Sequence, residues 1–77
     1  MDEYKILSNE VRREILRLLG KPTSKTRLYR ELRKIAFYTN VYKHLRILKE
    51  HGYVEEDDGT FRLTEEGKRL RAKVMAK

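Results

Sequence analysis

Apolar positions recur at helical spacing through most of this chain, with one stretch of strand-like character late in it. Val11, Ile15, Leu18 and Leu19 stand at i, i+4, i+7 and i+8, which predicts a helix across "SNEVRREILRLLG", residues 8–20. Ser8 or Asn9 can cap its start, and Gly20 is suited to end it. Upstream, "DEYKIL" offers Tyr4, Ile6 and Leu7 to a short leading helix. Pro22 in "KPTS" interrupts the helical pattern and pushes its predecessor to extended geometry, so a link or edge strand is expected there. Ser24 then caps a second helix over residues 25–34, with Leu28, Leu32 and Ile35 as its apolar line and a turn at Ile35 and Ala36.

A third helix is predicted over residues 38–51, stopped by Gly52 in a left-handed cap. At 100° per residue, Val41, Leu45 and Leu48 fall within about 60° of one another, with Phe37 beside them as a core anchor. Thr39, Lys43, Arg46 and Glu50 fall on the opposite face, with Asn40 and Tyr42 on its flanks. "YVEEDDGTFRLT", residues 53–64, reads as two short strands around Asp58-Gly59, because a tight hairpin turn needs positive φ at its centre. Thr64 caps a closing helix in which acids come first and cations later, as the helix dipole favours, with Leu70 and Val74 as its apolar line.

Charge changes this picture from a list of elements to a surface with a direction. The 77 residues carry a formal net charge of +7. Residues 1–20 are neutral overall, whereas residues 21–49 hold nine basic side chains against Glu31 alone, a net of +8. Residues 50–66 reverse the sign, with Arg62 facing seven acids, and the remaining C-terminal residues are basic again. A basic segment of that density suits a polyanionic partner, most simply nucleic acid. The same abundance of Lys, Arg and Glu with few amides is also the composition of hyperthermophile surfaces.

Composition removes several other classes. A chain of this length accommodates one small domain, spanning residues 1–77, which buries about 60% of its unfolded surface. There is no Cys, so disulfides, thiolate metal sites and thiol nucleophiles are excluded. His44 and His51 lie seven residues apart on one predicted helix, about 10 Å by helical rise and too far to share a metal, and His44 is expected along the packing seam. No nucleophile with an adjacent base, glycine-rich phosphate loop or pair of catalytic carboxylates is present, and nothing calls for a cofactor or small-molecule ligand. No apolar run approaches membrane-spanning length and no secretory signal pattern is seen, so a cytoplasmic protein is expected.

The predicted order is helix, extended link, helix, turn, helix, hairpin, helix: an α+β, mainly α chain. In this it resembles the winged helix-turn-helix transcription regulators of bacteria and archaea, close to the arsenic-repressor-like group and to the small kind found in archaea and their viruses or plasmids. Three stretches carry the resemblance: "LSNEVRREILRLL" (7–19) is similar to the first core helix, "VYKHLRILKEHGYVEE" (41–56) to the recognition helix entering the first wing strand, and "FRLTEEGKRL" (61–70) to the second wing strand entering the closing helix.

The resemblance implies double-stranded DNA as the partner, with the helix near residues 38–51 in the major groove. Thr39, Asn40, Tyr42, Lys43 and Arg46 become base-contact candidates: an Asn amide pairs with adenine, Lys and Arg donate to guanine, and a Thr methyl packs on thymine. Lys25, Arg27, Arg30, Tyr38 and Arg62 become phosphate-contact candidates, with Arg33 and Lys34 on the same helix as the first three. Terminal helices pair the subunits of such regulators, so Tyr4, Ile6, Leu7, Leu70, Val74 and Met75 are expected at a homodimer interface. One departure is the acidic wing tip, Glu55 to Asp58, where the family often has cations. It is expected to point away from DNA or to meet a basic partner, leaving open a protein-interaction module or a non-specific architectural DNA binder as rival functions.

Overall fold

The computed structural model describes residues 2–76 and contains five helices and three strands among them. Helix α1 (Glu3–Leu7) is capped by Asp2, whose carboxylate accepts the Lys5 N–H at 2.8 Å. Helix α2 (Glu10–Leu18) starts at Asn9, whose Oδ1 accepts the Arg12 N–H at 3.0 Å. Strand β1 (Thr23–Ser24) leads directly into α3 (Lys25–Leu32), which Ser24 caps through the Arg27 N–H. Helix α4 (Tyr38–Glu50) follows, then strands β2 (Val54–Asp57) and β3 (Thr60–Leu63), then α5 (Glu65–Met75).

The end of α4 shows how one glycine sets the chain's direction. Gly52 has φ +81°, which L side chains rarely adopt, and this lets the Gly52 N–H reach the Lys49 carbonyl at 3.1 Å and the Tyr53 N–H reach that of Leu48 at 2.9 Å. Thr64 locks the same corner: its hydroxyl donates to the Gly52 carbonyl at 2.6 Å and accepts from the Gly67 N–H at 3.1 Å, capping α5. Asp58 and Gly59 both have positive φ, 51° and 83°, the pairing a two-residue hairpin of matching twist requires. The antiparallel sheet has the order β1-β3-β2, with Thr23 opposite Phe61 and Val54 opposite Leu63. The short segment after Pro22 therefore joins the wing as an edge strand.

A core of aliphatic side chains and Phe61 sits between α2, α3, α4, the sheet and α5. Ile6, Ile15, Leu16, Leu28, Leu32, Val41, Leu48 and Leu70 are fully buried. Several expectations are corrected here. Leu16 is in the core and Leu18 only half-buried, because α2 turns its packed face toward α4 and α5 together. Gly20 lacks the positive φ of a left-handed cap; α2 closes at Leu19, whose N–H donates to the Ile15 and Leu16 carbonyls, and the Arg71 guanidinium, whose Nε donates to the Arg17 carbonyl at 3.2 Å, lies beside Gly20. Ile35 is exposed, since α3 stops at Leu32 and the residue falls out of helical phase.

The largest correction concerns Phe37, which is 80% exposed rather than a core anchor. It precedes α4 as its N-cap residue with extended backbone angles, φ −71° and ψ 155°, so the helical projection that placed it beside Val41 does not extend to it.

Candidate nucleic-acid interface

The inner face of α4 is buried through Val41, His44, Leu45 and Leu48. That packing turns Thr39, Asn40, Tyr42, Lys43 and Arg46 to solvent together, all five exposed. No acidic residue stands between Glu31 and Glu50, so the outer face presents amide, hydroxyl and cationic groups without interruption. Beside it, α3 exposes Arg27 and Arg30 and half-buries Lys25, while Arg33 and Lys34 project from the turn between the helices. The Lys25 N–H donates to the Gly59 carbonyl at 2.8 Å, which fixes the start of α3 against the wing turn.

Ion pairing separates these cations from that of the wing and from most of those on α5. Arg62, Lys68, Arg69 and Lys73, on the wing and α5, each sit against a carboxylate. Among the described residues, Lys25, Arg27, Arg30, Arg33, Lys34 and Lys43 have none at ion-pair distance. Arg46 is intermediate: its Nε donates to Glu50 Oε2 at 3.2 Å, one turn away. An exposed pair of that kind contributes only about 0.3–0.5 kcal/mol, so it is readily exchanged for a stronger anion.

Arg62 is held more firmly. Its Nε donates to Glu55 at 3.0 Å and its Nη1 lies 3.8 Å from Asp57, while Glu56 is taken by Lys49 at 3.3 Å. The expected wing cation is thus neutralised by its own hairpin, and Asp58 at the turn adds to a surface of negative sign. Between wing and α4 lies a cleft of about 440 Å³ lined by Tyr42, Leu45, Arg46, Lys49, Glu50, Glu56 and Phe61.

Two aromatic rings brace the start of α4. Tyr29 of α3 and Tyr38 have centroids 6.3 Å apart at 60°, a tilted contact between the two helices. Burial, reinforced by Tyr42, Glu56 and Tyr38, raises the pKa of Tyr29, keeping its hydroxyl protonated.

Behind the exposed face, sequence reasoning overlooked a buried polar contact. Arg12 is 7% exposed and His44 8%. The guanidinium donates to the carbonyls of Ile6 and Lys5, each at 3.0 Å, and through Nη1 to His44 Nδ1 at 3.0 Å. Because Arg12 has only donors, Nδ1 must accept, so His44 is neutral with its proton on Nε2. Burial, then the charges of Arg12 and Lys43, lower the His44 pKa accordingly. One arginine thereby ties α1, α2 and α4 together. The signal was in the sequence: Arg12 stands four residues before Leu16 and seven before Leu19, on the packed face.

The fold divides the residues expected at a dimer interface. Ile6 and Leu70 are fully buried in the chain's own core, because α1 and α5 pack on α2, and they offer no surface to a second chain. Tyr4 and Met75 are exposed; Tyr4, half-buried Leu7 and Val74 line a cleft of about 440 Å³ with Ser8, Arg13 and Lys73.

Three core helices, a turn, an exposed cationic helix face and a paired β-hairpin define a winged helix-turn-helix domain. The chain belongs to a family described as "Helix-turn-helix domain", whose model matches residues 7–57, from the end of α1 to the end of β2. No curated protein and no solved structure matches it. DNA binding is the activity this class of domain supports, and such domains are typically non-enzymatic. Among the described residues, no helix is long and apolar enough to cross a membrane.

Proposed function

We propose that the protein is a sequence-specific regulator of transcription, a single winged-helix domain of the arsenic-repressor-like kind acting on DNA in the cytoplasm or nucleoid. Helix α4 enters the major groove, where Asn40 reads adenine, Lys43 and Arg46 read guanine, and Thr39 and Tyr42 contact neighbouring base edges or sugars. Lys25, Arg27, Arg30 and the Tyr38 hydroxyl hold phosphates on either side. The carrying observation is the segregation of charge: the cations without carboxylate partners on α3, the turn and the start of α4 border one exposed face, while the wing and α5 neutralise most of theirs. Arg62 contacts a phosphate only by leaving Glu55 and Asp57.

Duplex binding over a salt series, with random and selected fragments compared, tests this reading. Affinity is expected to fall steeply with salt, and selected fragments to win by a wide margin. Asn40→Ala and Lys43→Ala should each lose about 1–3 kcal/mol of discrimination at one base position, while Lys25→Ala weakens all duplexes alike. Intact sequence preference in both α4 variants refutes the assignment of that helix. A second reading rests on the wing, whose exposed Glu55, Asp57 and Asp58 suit a basic protein partner; absence of duplex binding at low salt favours it. Equal affinity for every duplex indicates an architectural binder.

A further inference from the structure

Phe37 has no partner in the fold, yet the surface around it is specific. It stands at the head of α4, 80% exposed, between Ile35 at 41% and Tyr38 at 68%. Two of these, Ile35 and Phe37, line one cleft, which on a small, highly charged domain marks a contact surface rather than scattered exposure. Phe37 and Asn40 share one cleft of about 330 Å³, whose other lining residues are Arg33, Lys34, Ile35 and Ala36. Its charged residues are therefore both cationic, and the nearest acids in the chain, Glu31 and Glu50, lie outside it.

An apolar surface rimmed by cations suits an occupant that is apolar at its tip and anionic at its margins. Asn40, assigned above to a base edge, lines this same cleft, so its occupant lies beside the DNA, which favours a base over an acidic protein partner. A thymine in the major groove supplies both, since its C5-methyl projects into the groove between two lines of phosphates. We propose that Phe37, with Ile35 behind it, is a specificity-determining residue that packs on thymine methyl groups beside the base read by Asn40. This rests on the placement of α4 in the major groove proposed above. It extends that reading with a chemical prediction: the bound site contains thymine at one or two positions next to the Asn40 contact, recognised through the methyl and not through the pairing edge. Phe37 is suited to the task by its place as the N-cap residue, just ahead of the first helical turn, and by its 80% exposure. The absence of a side-chain cap bond at this position is the local cost of placing an aromatic there.

The experiment uses the duplex returned by selection from random DNA, with each thymine replaced in turn by uracil, which removes the methyl and leaves base pairing intact. Affinities are measured for the whole protein and for Phe37→Ala, Phe37→Leu and Asn40→Ala, with circular dichroism confirming the fold of each. The unsubstituted protein is expected to lose about fourfold in affinity per contacted methyl at one or two positions. Phe37→Ala should bind the thymine duplex more weakly by a similar factor and be indifferent to uracil, and Phe37→Leu should recover part of the sensitivity. If the unsubstituted protein selects a sequence that Asn40→Ala no longer distinguishes, yet ignores every uracil, the thymine contact is overturned while the placement of α4 stands. Unchanged uracil sensitivity in Phe37→Ala overturns it equally. Failure of selection to return any preferred sequence refutes both.

Discussion

Arg12→Met removes a guanidinium that three helices share while keeping most of its apolar stem. Two acceptors lose their partner: the Ile6 carbonyl at the end of α1 and His44 Nδ1 within α4, both behind the packed face. The Lys5 carbonyl keeps the Ser8 hydroxyl at 2.7 Å, so it is not stranded. Leaving a buried acceptor unpaired costs about 1–3 kcal/mol, and release of a buried cation returns part of that, for a net loss of about 2–4 kcal/mol. In a domain of this size the loss lowers Tm by roughly 10–25 °C. Urea unfolding followed by circular dichroism, for Arg12→Met, His44→Leu and the double variant, measures the shared part. The double variant should be less destabilised than the sum of the singles by about 1–3 kcal/mol, since each single strands what the other removes. Additive losses, or Arg12→Met as stable as the parent, would sink the idea that this contact joins α1 to α4. The contact also has a pH signature. The pKa of His44 in the fold is lower than its ordinary 6.5, so the unfolded chain binds the extra proton first. Its contribution is fully present above about pH 6.5 and is lost as pH falls below that value. His44→Asn, which keeps an acceptor at the Nδ1 position, should flatten stability across that window.

Glu3 governs a separate, more acidic range: hydrogen bonds from Arg69 and Lys73 hold its carboxyl at about 2 instead of 4.5, so its contribution is lost as pH falls from about 4.5 toward 2, and Glu3→Gln should remove that dependence in acid titrations. Gly67→Ala places a Cβ 1.9 Å from the Tyr53 carbonyl oxygen, a backbone atom that also accepts the Thr64 N–H, and should cost about 3 kcal/mol in thermal or urea unfolding. Gly52→Ala meets open space and suffers only from its φ of +81°, so about 1 kcal/mol is expected; equal losses at the two sites would contradict the packing described. Converting Glu55 and Asp57 to Gln and Asn frees Arg62, and should strengthen binding to all duplexes and steepen the salt slope by about one; no change in slope means the wing stays clear of DNA.

Local chemistry carried most of the element list, because caps, turns and periodicity act within a few residues. Asn9, Ser24 and Thr64 each cap the helix their position announces, and Asp58-Gly59 and Gly52 adopt the positive φ their neighbours require. The exposed face of α4 was legible for the same reason: once Val41, Leu45 and Leu48 face inward, Thr39, Asn40 and Lys43 have nowhere else to point. Legibility failed at the ends of elements. Phe37 and Ile35 lie just outside helices, where the 100° rule does not apply, and the core that their spacing predicts does not reach them. Gly20 does not adopt the cap its position suggests, because α2 already closes one residue earlier, at Leu19.

What the sequence alone determined, then, is a basic central segment, an acidic hairpin and helices whose polar face in α4 suits nucleic acid. Only the tertiary structure decided which charges are available. Arg62 spends its donors on Glu55 and Asp57 across the hairpin, Arg12 is drawn inside to the carbonyls of α1 and to His44, and Lys43 is left unpaired. Those outcomes depend on partners from 5 to 32 residues away, and such contacts exist only after the chain has closed its core.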